Sequence, residues 1–303
     1  MRRLTPINAP GLSAEVVHVR ELRDAGVKRW RMSAGDLNAP MRGTRARPDI
    51  DGSSFTARAK AMQLLLGEGR FLSRRTAARL LLIPTSERFR AIEVGAVNPH
   101  RPPQRPGVVG HRIQPGTLST VPTGPDWLPV VQDVWALLGA VSDIDELIIA
   151  GDHLISLTRK TGGSGCTFEA LSDALVRFNR CQGVGRLRAA LAQVRPGVGS
   201  PAETLVRLLI VRAGFVEPQT NCPVEVDGRV LHADLGYPQW RIAIEYDGIY
   251  HFENGAEQLR FDNARYERMR DAGWTVLQLT SLDLQSPNIF LQRLVKAIAR
   301  ARR

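Results

Sequence analysis

The alternation of apolar and polar residues is clearest over residues 240–247, where it predicts a strand. Successive side chains of a strand point to opposite faces, so its two isoleucines share one face while Glu245 and Asp247 share the other. A shorter alternating stretch over residues 230–234 ends in Asp234, and a turn-forming segment rich in glycine and proline follows it. The pattern therefore predicts a pair of strands that brings Asp234 near Glu245.

Apolar residues at helical spacing predict most of the other elements. Over residues 256–272 they predict a helix that carries Asp262 on its otherwise apolar side. Near the start of the chain they predict helix, turn and basic helix, which is the outline of a winged helix. The remaining predicted elements are a hinged helical region over 56–82, strands over 91–97, 107–113 and 274–280, and helices over 128–138, 144–157 and 289–303.

These elements predict an α/β chain in three parts. Residues 1–50 form a winged-helix-like segment and residues 51–199 a mostly helical region with some strand. Residues 200–303 form a domain with a small mixed sheet flanked by helices, and a glycine-rich stretch before Ser200 marks its start.

Composition narrows the class of protein. The 303 residues are 43% hydrophobic and 23% charged, which is typical of a chain that buries a core. The N-terminus is basic without an apolar segment behind it, and no apolar run reaches the length of a membrane span, so we expect a cytoplasmic, nucleoid-associated protein with no membrane partner. Three scattered cysteines argue against a disulfide framework or a zinc site.

The positive charge is unevenly distributed along the chain. The formal net charge is +11, yet residues 201–303 hold 13 basic and 13 acidic residues. Residues 1–112 hold 21 basic against 9 acidic residues, which is the electrostatic pattern of a segment that lies along a polyphosphate. This asymmetry predicts that the N-terminal part binds DNA and that the C-terminal part carries the chemistry.

The predicted pair of carboxylates is the strongest chemical signal. Two acids brought together by neighbouring strands repel each other unless a cation lies between them, and oxygen ligands suit Mg²⁺ or Mn²⁺. A cation held by Asp234 and Glu245 can activate water against a phosphodiester. The alternative is that Glu245 and Asp247 are ordinary solvent-facing residues of an edge strand.

The last hundred residues resemble the restriction-endonuclease-like PD-(D/E)XK nucleases, and within them the domain-of-unknown-function 559 family, a relative of the very-short-patch-repair endonucleases. The resemblance rests on six blocks, which are Ser200-Pro201-Ala202-Glu203, Asp234, Glu245-Tyr246-Asp247-Gly248, His251, Asp262 with Arg265, and the stretch GWTVL at 273–277. The usual lysine of the wider superfamily is replaced here by Asp247.

This resemblance implies roles for individual residues. Asp234 and Glu245 are the expected metal ligands, with the main-chain carbonyl of Tyr246 as a third, and Asp247 and His251 are expected to position water or the leaving group. Glu203 and Asp262 are expected to support the site. Glu203 also has a sufficient structural role in a capping box with Ser200, and Asp262 has one in salt bridges.

The N-terminal part has a looser resemblance to the abortive-infection type IV antitoxin (AbiEi) family, carried by the stretch SRRTAARLLLIP at 73–84. It implies DNA binding by about the first fifty residues and transfers no catalytic residue. The residues predicted to contact nucleic acid are Lys28, Arg29, Arg31, Arg42, Arg45 and Arg47, together with Arg207 and Arg265 in the C-terminal part. For Arg207, an ion pair with Glu203 is the alternative.

Two functions follow from these observations. The first is a Mg²⁺- or Mn²⁺-dependent DNA endonuclease that acts on single- or double-stranded DNA in repair or in defence against phages and mobile elements. The second is a DNA-binding regulator or antitoxin-like protein that retains the nuclease domain as a non-catalytic scaffold. Replacing Asp234 with alanine separates them, because it silences a nuclease and leaves a regulator working.

Overall fold

The computed structural model describes the main chain of residues 15–123, 127–161, 165–248 and 255–303, and their side chains except at 157–161, 255–259 and 262. The chain is a mixed α/β protein that divides into two compact units. Unit 1 comprises Met1–Asp143 and Glu169–Arg188, and unit 2 comprises Ile144–Phe168 and Ala189–Arg303.

The first described elements of unit 1 include a two-stranded sheet. Its elements are β1 (Val16–His18), α1 (Val19–Asp24), α2 (Arg29–Met32) and β2 (Thr44–Ala46), and β1 pairs antiparallel with β2. The first helix predicted near the start of the chain included residues 16–18, where the structure has β1. The strand forms instead because the β-branched side chains of Val16 and Val17 are buried there, on the pleated surface that suits them. The order helix, turn, helix, strand is as expected, and the winged-helix class remains a prediction.

A three-stranded sheet forms the centre of unit 1. The elements are α3 (Phe55–Leu65), β3 (Arg70–Leu72), α4 (Arg74–Leu80), β4 (Ile92–Val97), β5 (Val108–Ile113), α5 (Val131–Leu138) and, further along the chain, α7 (Phe168–Arg177) and α8 (Val184–Leu191). The predicted strands β4 and β5 are confirmed and pair in parallel, with β3 antiparallel on the other side of β4. The hinge predicted at residues 67–69 is a turn that follows α3, and the strand β3 after it was not predicted.

Unit 2 is built on a four-stranded mixed sheet. Its strands are β6 (Gln219–Val226), β7 (Arg229–Tyr237), β8 (Ile242–Tyr246) and β9 (Thr275–Leu279), in the order β6-β7-β8-β9. The first three are antiparallel and β8 pairs with β9 in parallel. The helices of unit 2 are α6 (Ile144–Thr161), α9 (Pro201–Arg212), α10 (Gly255–Asp271), α11 (Ser281–Gln285) and α12 (Asn288–Ala301).

Helices cover both faces of this sheet, which confirms the predicted small mixed sheet flanked by helices. Ile242 and Ile244 of β8 pack in a core cluster with residues of α9 and α12. Ala243, between them, belongs to a second cluster with Tyr266 and Met269 of α10. Because neighbouring residues of one strand enter different cores, α9 and α12 lie on one face and α10 on the other.

The strand β6 was not predicted. It joins β7 through Asp227 and Gly228, which both have positive φ, of 48° and 72°. Positive φ at both central residues is typical of the two-residue hairpin turn for which the pair Asp-Gly is a sequence signal. That signal lies between two alternating stretches, so the hairpin was detectable in the sequence.

A buried ion pair attaches α6 to the rest of unit 2. Asp152 of α6 accepts hydrogen bonds from Arg207 Nη2 (2.9 Å) and Thr204 Oγ1 (2.9 Å) of α9. The Asp152 and Arg207 side chains are each 1% exposed. The unit that contains residues 200–303 therefore extends beyond the predicted start at Ser200, because α9 obtains the partner of its buried arginine from α6.

Cys166 and Cys222 are buried and Cys181 is partly exposed, and all three are free thiols. Among the helices that the structure describes, none is both long and apolar enough to cross a membrane.

Candidate active site

The strands β7 and β8 bring together the two acids that the sequence singled out. Leu235 pairs with Ile244 in the antiparallel ladder, so the preceding Asp234 lies beside the following Glu245. The main-chain N–H of Tyr246 donates a hydrogen bond to Asp234 Oδ2 at 2.8 Å. The prediction that these two carboxylates are neighbours is therefore confirmed.

Glu245 is a buried carboxylate in which only one of the two oxygens accepts a hydrogen bond. Its side chain is 1% exposed, and Oε2 accepts a hydrogen bond from Arg265 Nη2 at 2.6 Å. Its other oxygen, Oε1, is buried without a hydrogen-bond partner in the described part of the chain. A buried carboxylate oxygen that lacks a donor is destabilising and marks a place for a proton or a cation.

The surroundings of Glu245 raise its pKa to about 8. Burial is the largest cause, and the neighbouring charge of Asp234 adds to it, while Arg265 opposes both. At neutral pH this site therefore favours a proton on Glu245 unless a positive charge replaces that proton.

Asp247 is fixed by donors from two elements. Its Oδ1 accepts a hydrogen bond from the Tyr266 hydroxyl of α10 at 2.7 Å, and its Oδ2 accepts one from Gln278 Nε2 of β9 at 3.1 Å. Burial, followed by the hydrogen bond to Asp247, raises the pKa of Tyr266, so that hydroxyl remains a donor. The sequence reasoning did not assign Tyr266 and Gln278 to the site, although a glutamine inside an apolar strand was a detectable signal.

Glu203 makes capping contacts at the start of α9, and its predicted support of the site remains a prediction. Ser200 Oγ accepts a hydrogen bond from the Glu203 main-chain N–H at 3.3 Å, and Glu203 Oε2 accepts one from the Gly199 N–H at 2.7 Å. The Glu203 side chain thus binds the main-chain N–H of Gly199, whereas the predicted capping box would use the N–H of Ser200. Glu203 also lines a cavity of about 230 Å³ together with Asp234 and His232.

Two predicted phosphate-contacting arginines of unit 2 have internal partners. Arg265 donates to Glu245 and, at 2.9 Å, to the main-chain oxygen of His232. Arg207 is 1% exposed and is paired with Asp152 and with Glu217. Arg207 is not accessible to a phosphate, so that prediction is wrong, and its partner is not Glu203 either.

Two further predicted residues cannot be located with the others. His251 lies outside the described residues. Asp262 belongs to α10, and its side chain is outside the described part of the structure. Their predicted roles remain predictions.

In unit 1 the predicted DNA-binding residues separate into two groups. Lys28, Arg29 and Arg42 are exposed. The guanidinium groups of the others bind within the fold. Arg31 is buried and makes two 2.7 Å hydrogen bonds to Asp36. Arg45 donates hydrogen bonds to the main-chain oxygens of Met32 and Thr44, and Arg47 forms an ion pair with Asp49. Arg31 is therefore a structural residue, contrary to the prediction.

The chain is similar to known proteins over part of its length. No family model matches the chain. The proteins named "Uncharacterized protein MT2308" and "Uncharacterized protein Rv2248", from Mycobacterium tuberculosis strains CDC 1551 / Oshkosh and ATCC 25618 / H37Rv, are each 25% identical over 139 residues, which is 45% of this chain and 51% of theirs. The chain therefore spans about half the length of the curated relatives it matches.

One solved structure is also similar. It is the crystal structure of the RV2827C protein from Mycobacterium tuberculosis, with 18% sequence identity and a TM-score of 0.34, and the match covers 60% of this chain and 78% of that one. The class that the fold itself defines is a mixed α/β protein with a small mixed sheet flanked by helices.

The pKa of Glu245 predicts how stability varies with pH in the metal-free protein. Folding raises this pKa from its usual value of 4.5 to about 8. Between these values the folded state keeps a proton that the unfolded state has released, so the free energy of unfolding falls as pH rises. Urea unfolding in EDTA should show this decrease in the free energy of unfolding. The Glu245→Gln variant should show a smaller decrease, and near pH 8 it should be more stable than wild type.

The control for this pH dependence is Glu225→Gln, which changes an exposed carboxylate of β6 in the same sheet. It should leave the slope of stability against pH unchanged. A slope that is the same in wild type and Glu245→Gln would contradict the assignment of the raised pKa to Glu245.

Proposed function

We propose that this protein is a metal-dependent DNA endonuclease whose catalytic centre is formed by Asp234 and Glu245. The observation that supports it most directly is the buried, unpartnered Oε1 of Glu245 beside a second carboxylate. A structural ion pair with Arg265 satisfies one oxygen of Glu245 and leaves the other without a donor. Such an arrangement suits a site where a cation binds from the side of the unpartnered oxygen.

The residues present fit a small hard cation. Within the described residues, no three His, Cys, Asp or Glu side chains form a metal-binding group. Mg²⁺ needs fewer protein ligands, because it usually keeps several waters and takes one or two carboxylates. Asp234, Glu245 and the carbonyl of Tyr246 would hold Mg²⁺ or Mn²⁺, which supplies Lewis-acid stabilisation of the charge that develops on the phosphate.

The chain's own residues would position the reacting groups. The Tyr246 N–H fixes the Asp234 carboxylate, and Tyr266 with Gln278 fixes Asp247. Asp247 thereby has a defined orientation on the strand end next to the two proposed ligands. It would orient the attacking water or the leaving group, in the place where related nucleases use lysine.

The proposed recruitment surface lies in unit 1 and consists of Lys28, Arg29 and Arg42. All three are exposed, and no described acidic side chain pairs with them. Trp30, which is 63% exposed, lies between the basic residues of α2 and offers a ring for stacking on a base. Positive side chains that have no internal partner release counterions when they meet phosphates.

This surface predicts a change in salt dependence. Replacing Lys28, Arg29 and Arg42 together with serine should weaken DNA binding about uniformly across sequences, and it should reduce the slope of log affinity against log salt by about 3, which is near one unit for each lost phosphate contact. Fluorescence anisotropy at several salt concentrations measures both quantities.

A matched control has the same change in net charge elsewhere. Lys296, Arg300 and Arg303 are exposed residues at the end of the chain, and their replacement with serine should leave the salt slope close to that of wild type. Equal losses in the two triple variants would indicate that only net charge matters and would contradict this recruitment surface.

The second function, a DNA-binding regulator with a retained nuclease scaffold, has one observation in its favour. Arg265 already pairs with Glu245, which is how a scaffold without a metal would neutralise that carboxylate. In a regulator, Asp234→Ala would bind promoter DNA and repress as well as wild type does. In a nuclease, the same variant would bind DNA and fail to cut it.

The experiment that tests the proposed function is a cleavage assay of the full chain. Its substrates are duplex, nicked, mismatched, flapped and single-stranded DNA, each with Mg²⁺, Mn²⁺ or EDTA. The proposal expects cleavage of at least one substrate with a divalent ion and none in EDTA. Cleavage that persists in EDTA would exclude the metal-dependent mechanism.

A further inference from the structure

A second cavity, of about 490 Å³, lies within unit 1 and is independent of the proposed nuclease centre. Its walls come from the start of α4, from β5 and α5, and from the end of α7 with the segment that follows it. The lining includes four arginines and no acidic residue, namely Arg74, Arg112, Arg177 and Arg180. Its volume is in the range of small-molecule sites.

Two of these arginines carry buried donors that lack an acceptor. The Nε atoms of Arg74 and Arg177 are both buried without a hydrogen-bond partner in the described part of the chain. Arg177 pairs through another nitrogen with Asp133, and Arg74 is 3.9 Å from Glu93. Buried N–H groups are nearly always satisfied in folded proteins, so two unpartnered donors on residues that line one cavity add to the need for an acceptor beside them.

The other two arginines supply charge without an internal partner. Arg112 and Arg180 are exposed, and neither forms an ion pair with a described acidic residue. His111 lines the same cavity and hydrogen-bonds Ser73 Oγ through Nε2 at 2.7 Å. Burial and the charge of Arg74 lower the pKa of His111 to about 3, so the ring is neutral and adds hydrogen-bonding capacity rather than charge.

The backbone at Arg74 is a further unusual feature of this cavity. Its φ is 49°, in the left-handed region that residues with a side chain seldom adopt. The residue follows Ser73, whose side chain bonds His111 instead of capping α4. Backbone strain of this kind is concentrated at binding sites, where it fixes the direction of a functional side chain.

We propose that this cavity binds a nucleoside 5′-phosphate. The guanidinium groups match phosphate oxygens, for which arginine offers two parallel hydrogen bonds. Phe178, Leu137 and Ile113 provide an apolar wall, and the amides of Asn179 and Gln182 provide donors and acceptors for the edge of a base. A phosphate with no attached base would leave that mixed part of the lining without a ligand.

The test is calorimetric titration of the full chain with deoxyadenosine monophosphate, inorganic phosphate and deoxyadenosine. The monophosphate should bind more tightly than either component alone. Arg112→Ser with Arg180→Ser should weaken it by about tenfold or more, because each removes a hydrogen bond to a charged group. Both residues are exposed, so the double variant should fold, and its thermal unfolding should resemble that of wild type.

Arg88→Ser is the matched control, since Arg88 is an exposed arginine of unit 1 outside the cavity lining. It should leave the affinity unchanged. No binding of the monophosphate up to roughly 10 mM, or equal affinity for wild type and the double variant, would overturn the proposal. If the monophosphate bound no more tightly than inorganic phosphate, the proposal that the cavity recognises the nucleoside would be wrong.

One further comparison distinguishes a free nucleotide from the 5′ end of a DNA strand as the ligand. An oligonucleotide with a 5′-phosphate that binds more tightly than the monophosphate, with the same loss in the double variant, assigns the site to the end of a DNA strand. Tighter binding of the monophosphate assigns it to a free nucleotide. Both results support a phosphate site in this cavity, and a loss of affinity in Arg88→Ser equal to that in the double variant contradicts it.

Discussion

Replacing Glu245 with glutamine is expected to reduce metal-dependent DNA cleavage by about three orders of magnitude or more, while DNA affinity stays within about twofold of wild type. Glutamine keeps the shape of the side chain and removes the negative charge that would hold the cation. The DNA-binding surface proposed here lies in unit 1, so its contacts are unchanged. Cleavage rates and anisotropy titrations on the same substrate measure the two effects separately.

Glu225→Gln is the control, because it makes the same chemical change at an exposed position of the same sheet. It should cleave like wild type. Asp234→Asn should behave like Glu245→Gln, since both carboxylates face the proposed cation. If Glu245→Gln cut DNA at the wild-type rate, the proposed centre would be wrong even if the protein proved to be a nuclease.

Removing the Arg207 side chain is expected to cause the largest loss of stability of any single change considered. In Arg207→Ala, Asp152 stays buried without its guanidinium partner, and breaking such a pair typically costs about 3–5 kcal/mol. The pKa of Asp152 is already raised by burial in the presence of Arg207. Urea unfolding at neutral pH measures the difference in the free energy of unfolding.

The chain offers a closely matched control for this prediction. Arg212 of α9 also binds an aspartate of α6, Asp145, but their side chains are 51% and 36% exposed. Exposed pairs contribute about 0–1 kcal/mol, so Arg212→Ala should have a small effect. Equal losses in the two variants would show that burial does not determine the contribution of the Asp152 pair.

Local sequence signals were sufficient for much of unit 2. The alternation around Glu245 predicted β8 and its pairing with the strand that carries Asp234, because the period of a strand fixes which residues share a face. The Ser200 cap and the closing helix were also evident from short patterns. The class of fold followed from the order of these elements.

Other features depended on contacts between distant residues and were not predictable in the same way. Arg207 lies one turn from Glu203 on α9, which favoured that pairing, yet its partner Asp152 is 55 residues away in sequence. Arg31 is in a basic run that suggested DNA contact, and a bidentate bond to Asp36 uses its guanidinium instead. Charge patterns show how many basic residues a segment has and do not show which of them the fold itself uses.

The four-arginine cavity illustrates the same limit. Arg74, Arg112, Arg177 and Arg180 are far apart in the sequence, and α4, β5 and the end of α7 with the segment after it bring them together. No spacing in the sequence marks them as a group. The unsatisfied Nε atoms and the positive φ of Arg74 become visible only in three dimensions.

The measurement that tests the central claim most directly is anomalous X-ray diffraction from crystals of the full chain soaked with Mn²⁺. We expect an anomalous peak beside the Asp234 and Glu245 carboxylates, on the side of the unpartnered Glu245 Oε1. The same crystals of Glu245→Gln should lack it. No peak at this position in wild type at saturating Mn²⁺, with Glu245 still bound by Arg265 alone, would contradict the account.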